Sequence, residues 1–270
     1  MLSTQVINNR DTGYLDNYKF KSGSAVQYNL SGRLNEISGI TVVDNRIYAI
    51  TDEVGKIYEL DINSGKILKK FFLGKWTAEA DFEGLAHFNG KFVAAASNGH
   101  LYFFEEGSDG QSVDYEIVKT GLRAKNNIEG LCYDKKTNSL LLACKDYPGK
   151  GNDNHRAVYS FNLESMKLDK EPRFLISLRK LRKNFDVENF YPSGIVGHPS
   201  GDSFFILYSK GGPGIVEISN DGDIIGAAEL KDKIHRQPEG IAFLNDEQLV
   251  IADEGAGKRA ALTKYKSVNK

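Results

Sequence analysis

The sequence predicts an all-β fold, a five-bladed β-propeller closed by an N-terminal strand, and three observations carry that expectation. A short phrase recurs five times, as Glu36-Ile-Ser-Gly39-Ile, Asp81-Phe-Glu-Gly84-Leu, Asn127-Ile-Glu-Gly130-Leu, Tyr191-Pro-Ser-Gly194-Ile and Gln237-Pro-Glu-Gly240-Ile. Its glycines, Gly39, Gly84, Gly130, Gly194 and Gly240, fall 45, 46, 64 and 46 positions apart, a period that fits a four-stranded propeller blade. The fifth unit runs out one strand short, while an alternating stretch, Ala25-Val-Gln-Tyr-Asn-Leu30, precedes the first phrase without a blade of its own.

Taken in order, residues 1–23 are polar and turn-like and are expected to form an arm lying on the surface, with residues 24–270 as the propeller. Blade one has strands at Ile37–Val43, Ile47–Thr51, Ile57–Asp61 and Ile67–Leu73, with a tight turn at Asp44-Asn45 and another at Asn63-Ser64-Gly65. Blade two repeats the plan at Gly84–Phe88, Phe92–Ala96, Leu101–Glu105 and Tyr115–Thr120, with Asn89-Gly90 as a strong hairpin signal. Blade three offers Gly130–Tyr133, Leu140–Cys144, Val158–Asn162 and Phe174–Leu178, and carries insertions at Tyr147–Arg156 and Arg179–Phe190 that lengthen its period. Blade four offers Gly194–Gly197, Phe204–Tyr208, Ile215–Ser219 and Ile224–Leu230. Blade five supplies Gly240–Phe243, Gln248–Ala252 and Ala261–Tyr265, and Ala25–Leu30 completes it, which removes the exposed edges of an open array. Six blades is the alternative, and it would need more than one strand within residues 1–35. Helical character is confined to Leu178–Asn184, whose cations read as a solvated face.

Composition narrows the function classes. The 270 residues include 35 Lys plus Arg against 36 Asp plus Glu, so no global basic field exists for nucleic acid or an anionic membrane. A partner, whether small ligand or protein, has to be found by a local site, and a monomer is expected. No run approaches the ~18 apolar residues of a membrane span. The first residues lack the charged and apolar regions of a signal peptide, which fits either a cytoplasmic protein or a mature form. Cys132 and Cys144 read as small apolar strand residues.

The chemistry is acidic. The first strand of each propeller blade lines the central channel, so the phrase brings its polar position to one mouth. The pairs Asp52-Glu53, Ser97-Asn98, Lys145-Asp146, Ser209-Lys210 and Asp253-Glu254 end the second strands, which return to that mouth. Glu36, Glu83, Glu129 and Glu239 are the candidate metal ligands, with Asp52, Glu53, Asn98, Asp146, Asp253 and Glu254 as rim candidates. Carboxylates crowded this way repel each other unless a cation neutralises them, and oxygen donors without paired His or Cys suit Ca²⁺ rather than zinc. The plainer interpretation is that each Glu accepts backbone N–H groups from the neighbouring blade, repeated because the blade is repeated. His87, His100, His155, His198 and His235 are scattered singly and read as turn or rim residues, and Phe71-Phe72, Phe103-Phe104 and Phe204-Phe205 as blade packing. Asn152-Asp153-Asn154 lacks the full calcium-loop spacing, and there is no G-x-S-x-G, H-E-x-x-H or P-loop.

At EISGI, DFEGLAHF, NIEGLCYD, YPSGIVGHP and QPEGIAFLNDEQLVIADE, over about residues 24–265, the chain resembles the SdiA-regulated family of bacterial propellers, the YjiK-like and CarP-like group. That resemblance implies an exported, calcium-linked protein of the periplasm or cell envelope, with no settled chemistry. YPSGIVGHP and QPEGIAF are also similar to NHL repeats, which implies an interaction surface. NIEGLCYDKKTNSLLLACKD is similar to a blade of β-propeller phytases, which implies a Ca²⁺-lined phosphatase mouth, although only Lys145, Lys150 and Arg156 stand where a phosphate would need cations. In gluconolactonase-like propellers an axial metal is held by Glu, Asn and Asp, and Glu129 matches in type. The leading expectation is a non-enzymatic propeller with Ca²⁺ in its acidic mouth. A Ca²⁺-dependent phosphoesterase or lactonase is the alternative, and a pure scaffold the third.

Overall fold

A computed structural model describes residues 13–21, 23, 25–245 and 247–268. The first twelve residues of the expected arm lie outside them. Five small sheets stand in a ring, and in each the chain runs from the axis outward as an antiparallel meander. The order is Ile37–Val43, Arg46–Thr51, Lys56–Leu60 and Ile67–Leu73 in blade one, and Phe82–Phe88, Lys91–Ala96, His100–Glu105 and Tyr115–Lys119 in blade two. Blade three holds Ile128–Asp134, Ser139–Cys144 and His155–Asn162, the last carrying both Lys167–Leu168 and Phe174–Ser177 on its outer edge. Blade four is Pro192–Gly197, Ser203–Tyr208, Gly214–Ser219 and Ile224–Glu229. Blade five is Pro238–Phe243, Leu249–Asp253 and Ala261–Tyr265, completed by Val26–Asn29 in antiparallel register from Val26 opposite Lys264 to Asn29 opposite Ala261. The five-bladed ring closed by an N-terminal strand is therefore the observed architecture.

Local chemistry explains the hairpins. Asp44 and Asn45 have φ of 47° and 62°, and Asn89 and Gly90 of 46° and 78°, the paired left-handed values of a type I′ turn, which Asn, Asp and Gly tolerate best. Among the described residues the one helix longer than a turn, Leu178–Phe185, is capped by the Ser177 hydroxyl, which accepts from the Lys180 N–H, and ends at Asp186 with φ 58°. Leu181 faces the core, and Arg179, Lys180, Arg182 and Lys183 face solvent. Two short strands were not expected: Lys167–Leu168 on blade three, and Ser112–Val113, from the loop that ends blade two's third strand, which pairs in parallel with Ile67–Leu73 of blade one.

The apolar residues gather into five clusters, one at each seam between neighbouring blades. Phe71, Phe82 and Phe92 fill the seam of blades one and two, and Leu140, Leu142 and Phe161 that of two and three. Phe174, Phe190 and Ile206 fill the next, then Phe205, Leu207 and Ile251, and Leu34, Ile47 and Leu262 join blade five to blade one. A blade is thus a partition between two cores, and its strands bury both faces.

The phrase glycines explain how the inner strands fit around the axis. A methyl group at Gly39 would lie 2.9 Å from the Gly84 Cα, one at Gly84 2.7 Å from the Leu131 Cβ, and one at Gly130 3.0 Å from the Gly194 carbonyl carbon. At Gly194 it would lie 2.7 Å from the Glu239 carbonyl oxygen, and at Gly240 3.2 Å from the Ile40 nitrogen, so the chain of contacts closes on itself. Backbone meets backbone at every seam of the axis, and only glycine allows it.

The arm differs from the surface segment expected. Leu15, Tyr18 and Phe20 are buried in the seam of blades four and five, against Phe205, Ile215 and Tyr265. The turn Tyr14–Asn17 begins at Glu217, a fully buried residue of the strand Gly214–Ser219. Its Oε1 accepts from the Tyr14 N–H at 3.0 Å and from the Ser203 hydroxyl at 2.7 Å, and its Oε2 accepts from the Leu15 N–H at 3.0 Å. The arm's apolar residues follow no strand or helix period because they are placed by this tertiary partner.

Candidate functional site at the axial mouth

Each inner pair of strands slips by one residue at the same point. The register shifts between Ile37 and Gly39, Phe82 and Gly84, Ile128 and Gly130, Pro192 and Gly194, and Pro238 and Gly240. The bulged residues are Ser38, Glu83, Glu129, Ser193 and Glu239. A bulge leaves one residue out of the ladder and re-aims its side chain, so three carboxyls and two hydroxyls stand at equivalent positions around one mouth. The residue after each phrase glycine, Ile40, Leu85, Leu131, Ile195 or Ile241, lines a cavity of about 200 Å³ further along the axis, which Thr41, His87 and Tyr133 also line. An acidic cup therefore sits above a channel of mixed polarity.

Burial and crowding set the protonation of the cup. Burial pushes Glu83 up to about 10, helped by the charges of Glu129, Asp81 and Glu239. Burial, then the Glu129 charge, pushes Glu239 up to about 8. Glu129 is raised by burial against the pull of Lys145, whose Nζ donates to Glu129 Oε1 at 2.9 Å. Lys145 keeps its proton despite burial because Glu129, Glu239 and Glu83 surround it. The cup thus carries one internal ion pair and carboxyls that hold protons at neutral pH. Glu239 Oε2 is buried without a hydrogen-bond partner.

The other candidates divide. Glu36 lies three residues before its glycine, not one, and is an exposed rim residue interacting with Glu254 and Asp52 rather than a member of the cup. Burial, then Glu36, pushes Glu254 up to about 7, and Glu254 also accepts from Gln237 Nε2. Asp52 is raised by burial and Glu36, with its Oδ1 buried and unpartnered. Glu53 is exposed beside it. Asn98 accepts the His100 N–H at 3.0 Å and so serves its own turn, and exposed Asp146 accepts from Asn127 Nδ2 at 3.1 Å. Asp253 is taken up by His235, whose Nδ1 lies 2.8 Å from its Oδ2 while Nε2 lies 2.7 Å from the Tyr265 hydroxyl. His235 is wholly buried and a core residue, not a rim one. Ser38 and Ser193 were legible as cup members, since they occupy the Glu position of the phrase. The position of Lys145 at the mouth follows from its place at the end of a second strand, but its pairing with Glu129 is set by the folded geometry.

The donor chemistry of the cup is that of Ca²⁺, all oxygen. The spacing is not that of a preformed metal centre: among the described residues no three His, Cys, Asp or Glu side chains gather closely enough to hold one ion. Lys145 already sits where Glu129 would need a metal.

The raised carboxyls have a consequence for stability. A carboxyl whose folded pKa lies above its unfolded value is protonated in the folded protein and ionised in the unfolded chain, so stability falls as pH rises between the two. For Glu239 that window runs from about 4.5 to about 8. His198, pushed down to about 4 by burial, acts in the opposite sense below about 6.5, so the clean range lies above that. Urea midpoints should fall between pH about 6.5 and 8, and less steeply in a Glu83→Gln, Glu239→Gln double variant. Equal slopes would show that these side chains are ionised in the folded protein.

The sequence matches no family model and none of the curated proteins compared with it. Solved structures similar to it are propellers. A glutaminyl cyclase from Myxococcus xanthus superposes with a TM-score of 0.56 at 11% identity over 90% of this chain and 95% of that one. A nidogen/laminin complex gives 0.48 at 12% identity over 80% of this chain and 72% of that one. At such identities the likeness is one of fold. Among the described residues no helix is long and apolar enough to cross a membrane.

Proposed function

We propose that the protein is a binding propeller that takes a cationic group into its acidic mouth. The observation that carries this reading is the cup itself: three bulge-aimed glutamates with one internal lysine between them and an unpartnered buried oxygen on Glu239. A buried carboxyl oxygen with no donor is a cost the fold bears unless a ligand supplies one. An organic ammonium fits best, because it brings hydrogen-bond donors to separate carboxyls without requiring them to converge on one point. Ca²⁺ is the inorganic form of the same reading, supported by the all-oxygen donor set and by the resemblance to SdiA-regulated propellers. That resemblance also supports a role at the cell envelope.

Either cation must displace protons from Glu239 and Glu83, so binding should tighten with pH by up to about tenfold per unit for each proton released. Calorimetric titration with ethylammonium and, separately, with Ca²⁺ between pH about 6 and 8 checks this. A Glu129→Gln, Glu239→Gln variant should weaken whichever cation binds by at least about tenfold. Absence of heat from both at millimolar concentration, or binding unaffected by the variant, refutes the reading.

Acid–base catalysis is a second reading, favoured by Glu239 holding its proton to about 8 beside the ion-paired Glu129. The similar Myxococcus structure is named a glutaminyl cyclase. Turnover of a glutaminyl peptide, or chelator-sensitive hydrolysis of p-nitrophenyl phosphate or a simple lactone, would select an enzyme over a binding protein.

A further inference from the structure

The mouth is not uniformly acidic. Four of its five sectors carry carboxyls, in the cup or on the rim, and blade four carries none at its phrase: Ser193 occupies the bulge, with its hydroxyl donated to the Pro238 carbonyl at 2.6 Å, and Tyr191 stands where blades one and two have Glu36 and Asp81. Around Tyr191 the charge is reversed. The Arg156 guanidinium carbon lies 4.6 Å and Lys210 Nζ 4.8 Å from the centre of its ring. Neither cation is ion-paired with a carboxylate among the described residues. Arg156 donates from Nη1 to its own neighbour's carbonyl, His155 O, at 3.3 Å, and its Nε is buried with no partner.

All three residues sit where strands open onto this mouth. Arg156 is the second residue of the strand His155–Asn162, which begins after the loop that follows Lys145, Tyr191 immediately precedes Pro192–Gly197, and Lys210 follows Ser203–Tyr208. In the loop that follows Lys145, the Tyr147 ring has Lys125 Nζ 4.1 Å from its centre. An aromatic face draws in a cation but does not neutralise it. Two cations against one ring still repel each other, and a guanidinium with an unused buried N–H is a donor in wait of an oxygen acceptor.

The two halves of the mouth therefore call for opposite charges. The carboxyls of blades two, three and five, half-buried at Glu83 and buried at Glu129 and Glu239, call for a cation, and the Arg156–Tyr191–Lys210 cluster calls for an anion. We propose that the ligand is a small zwitterion, an amino acid or short unblocked peptide, with its ammonium in the glutamate cup and its carboxylate on Arg156 and Lys210. The inference rests on the cation reading above and adds the second charge and its partners.

Three probes separate the two ends: triglycine, triglycine amide, which lacks the carboxylate, and N-acetyltriglycine, which lacks the ammonium. Calorimetry on the full chain at pH about 8 should show triglycine binding at least about tenfold more tightly than either derivative. Lys210→Gln alters an exposed side chain and should weaken triglycine several-fold, leaving triglycine amide unchanged. An Arg156→Gln, Lys210→Gln double variant should bring triglycine down to the level of its amide. Equal binding of triglycine and its amide would overturn the zwitterion and leave the cation reading standing. Equal binding of the acetylated peptide would overturn both. If none of the three binds, the zwitterion falls, and the ethylammonium and Ca²⁺ titrations alone decide the first reading.

Discussion

Replacing Gly84 with alanine should destabilise the protein by about 3 kcal/mol, as expected when a methyl is forced into a packed interior with backbone on its far side. For a chain of this size that is a fall in Tm of roughly 6–12 °C. The added methyl would lie 2.7 Å from the Leu131 Cβ and 2.9 Å from its nitrogen, both on the inner strand of the next blade. A side chain could swing away, but a strand at the axis can yield only by pushing blade three outward, which opens the seams on either side. Gly194→Ala should behave alike, since its methyl would meet the Glu239 carbonyl oxygen at 2.7 Å. Gly197 is the control: further along the same strand as Gly194, its methyl would find Phe204 at 3.5 Å, an ordinary contact. Gly197→Ala should be neutral or stabilising by about half a kcal/mol, by restricting the unfolded chain. Urea unfolding of the three variants decides the matter. Should all three behave like the wild type, the inner strands are not held at glycine contact distance and the cup is wider than described.

Glu217→Ala should be the next most damaging change, by about 2–4 kcal/mol, because it strands three donors that meet a fully buried carboxylate. Glu217→Gln should not rescue it. Whichever way an amide is turned, its NH₂ replaces one of the two acceptor oxygens and faces either the Tyr14 N–H or the Leu15 N–H, and donor there meets donor. Loss of the latch should free Leu15, Tyr18 and Phe20 from their seam, so limited proteolysis within residues 13–21 should quicken more than the change in global stability accounts for. Removal of residues 1–21 in the Glu217→Ala background should then add little to the loss. Full additivity would mean that the carboxylate stabilises blade four by itself and does not hold the arm.

These two sites mark what a reader of the sequence could and could not see. The glycines were visible because each recurs at a fixed place in a phrase and the phrase keeps time with the blade. Turns at Asp44-Asn45 and Asn89-Gly90 were visible because their backbone demands a narrow choice of residues. The closing strand followed from simple bookkeeping of one strand missing and one to spare. Glu217 was hidden, since a carboxylate in an alternating strand reads as solvent-facing until its partners, some two hundred residues away in sequence, are in place. His235 was hidden likewise, its role fixed by Asp253 and Tyr265 together. At the cup, the acidic positions came from the repeat, whereas the cations Lys145 and Lys210 stand at second-strand ends where blades one and five carry acids, and Arg156 comes from the blade-three insertion. Lys145 and Arg156 flank the long loop of blade three and Lys210 follows the second strand of blade four, and the ring brings the two blades to one mouth. Glu36 was misplaced by reading the nearest acid into the pattern when its blade carries Ser38 at the repeated position.

The way blade five is finished also bears on how the molecule resists force. Val26 lies opposite Lys264, so the chain enters one strand and leaves its neighbour at the same end of the pair. Tension applied through residues 25 and 265 would part that pair one rung at a time, like a zip, rather than shear all its rungs together. The ring that is so well braced against substitution at its hub is thus mechanically soft at its fastening, and a pull would release blade five before any other.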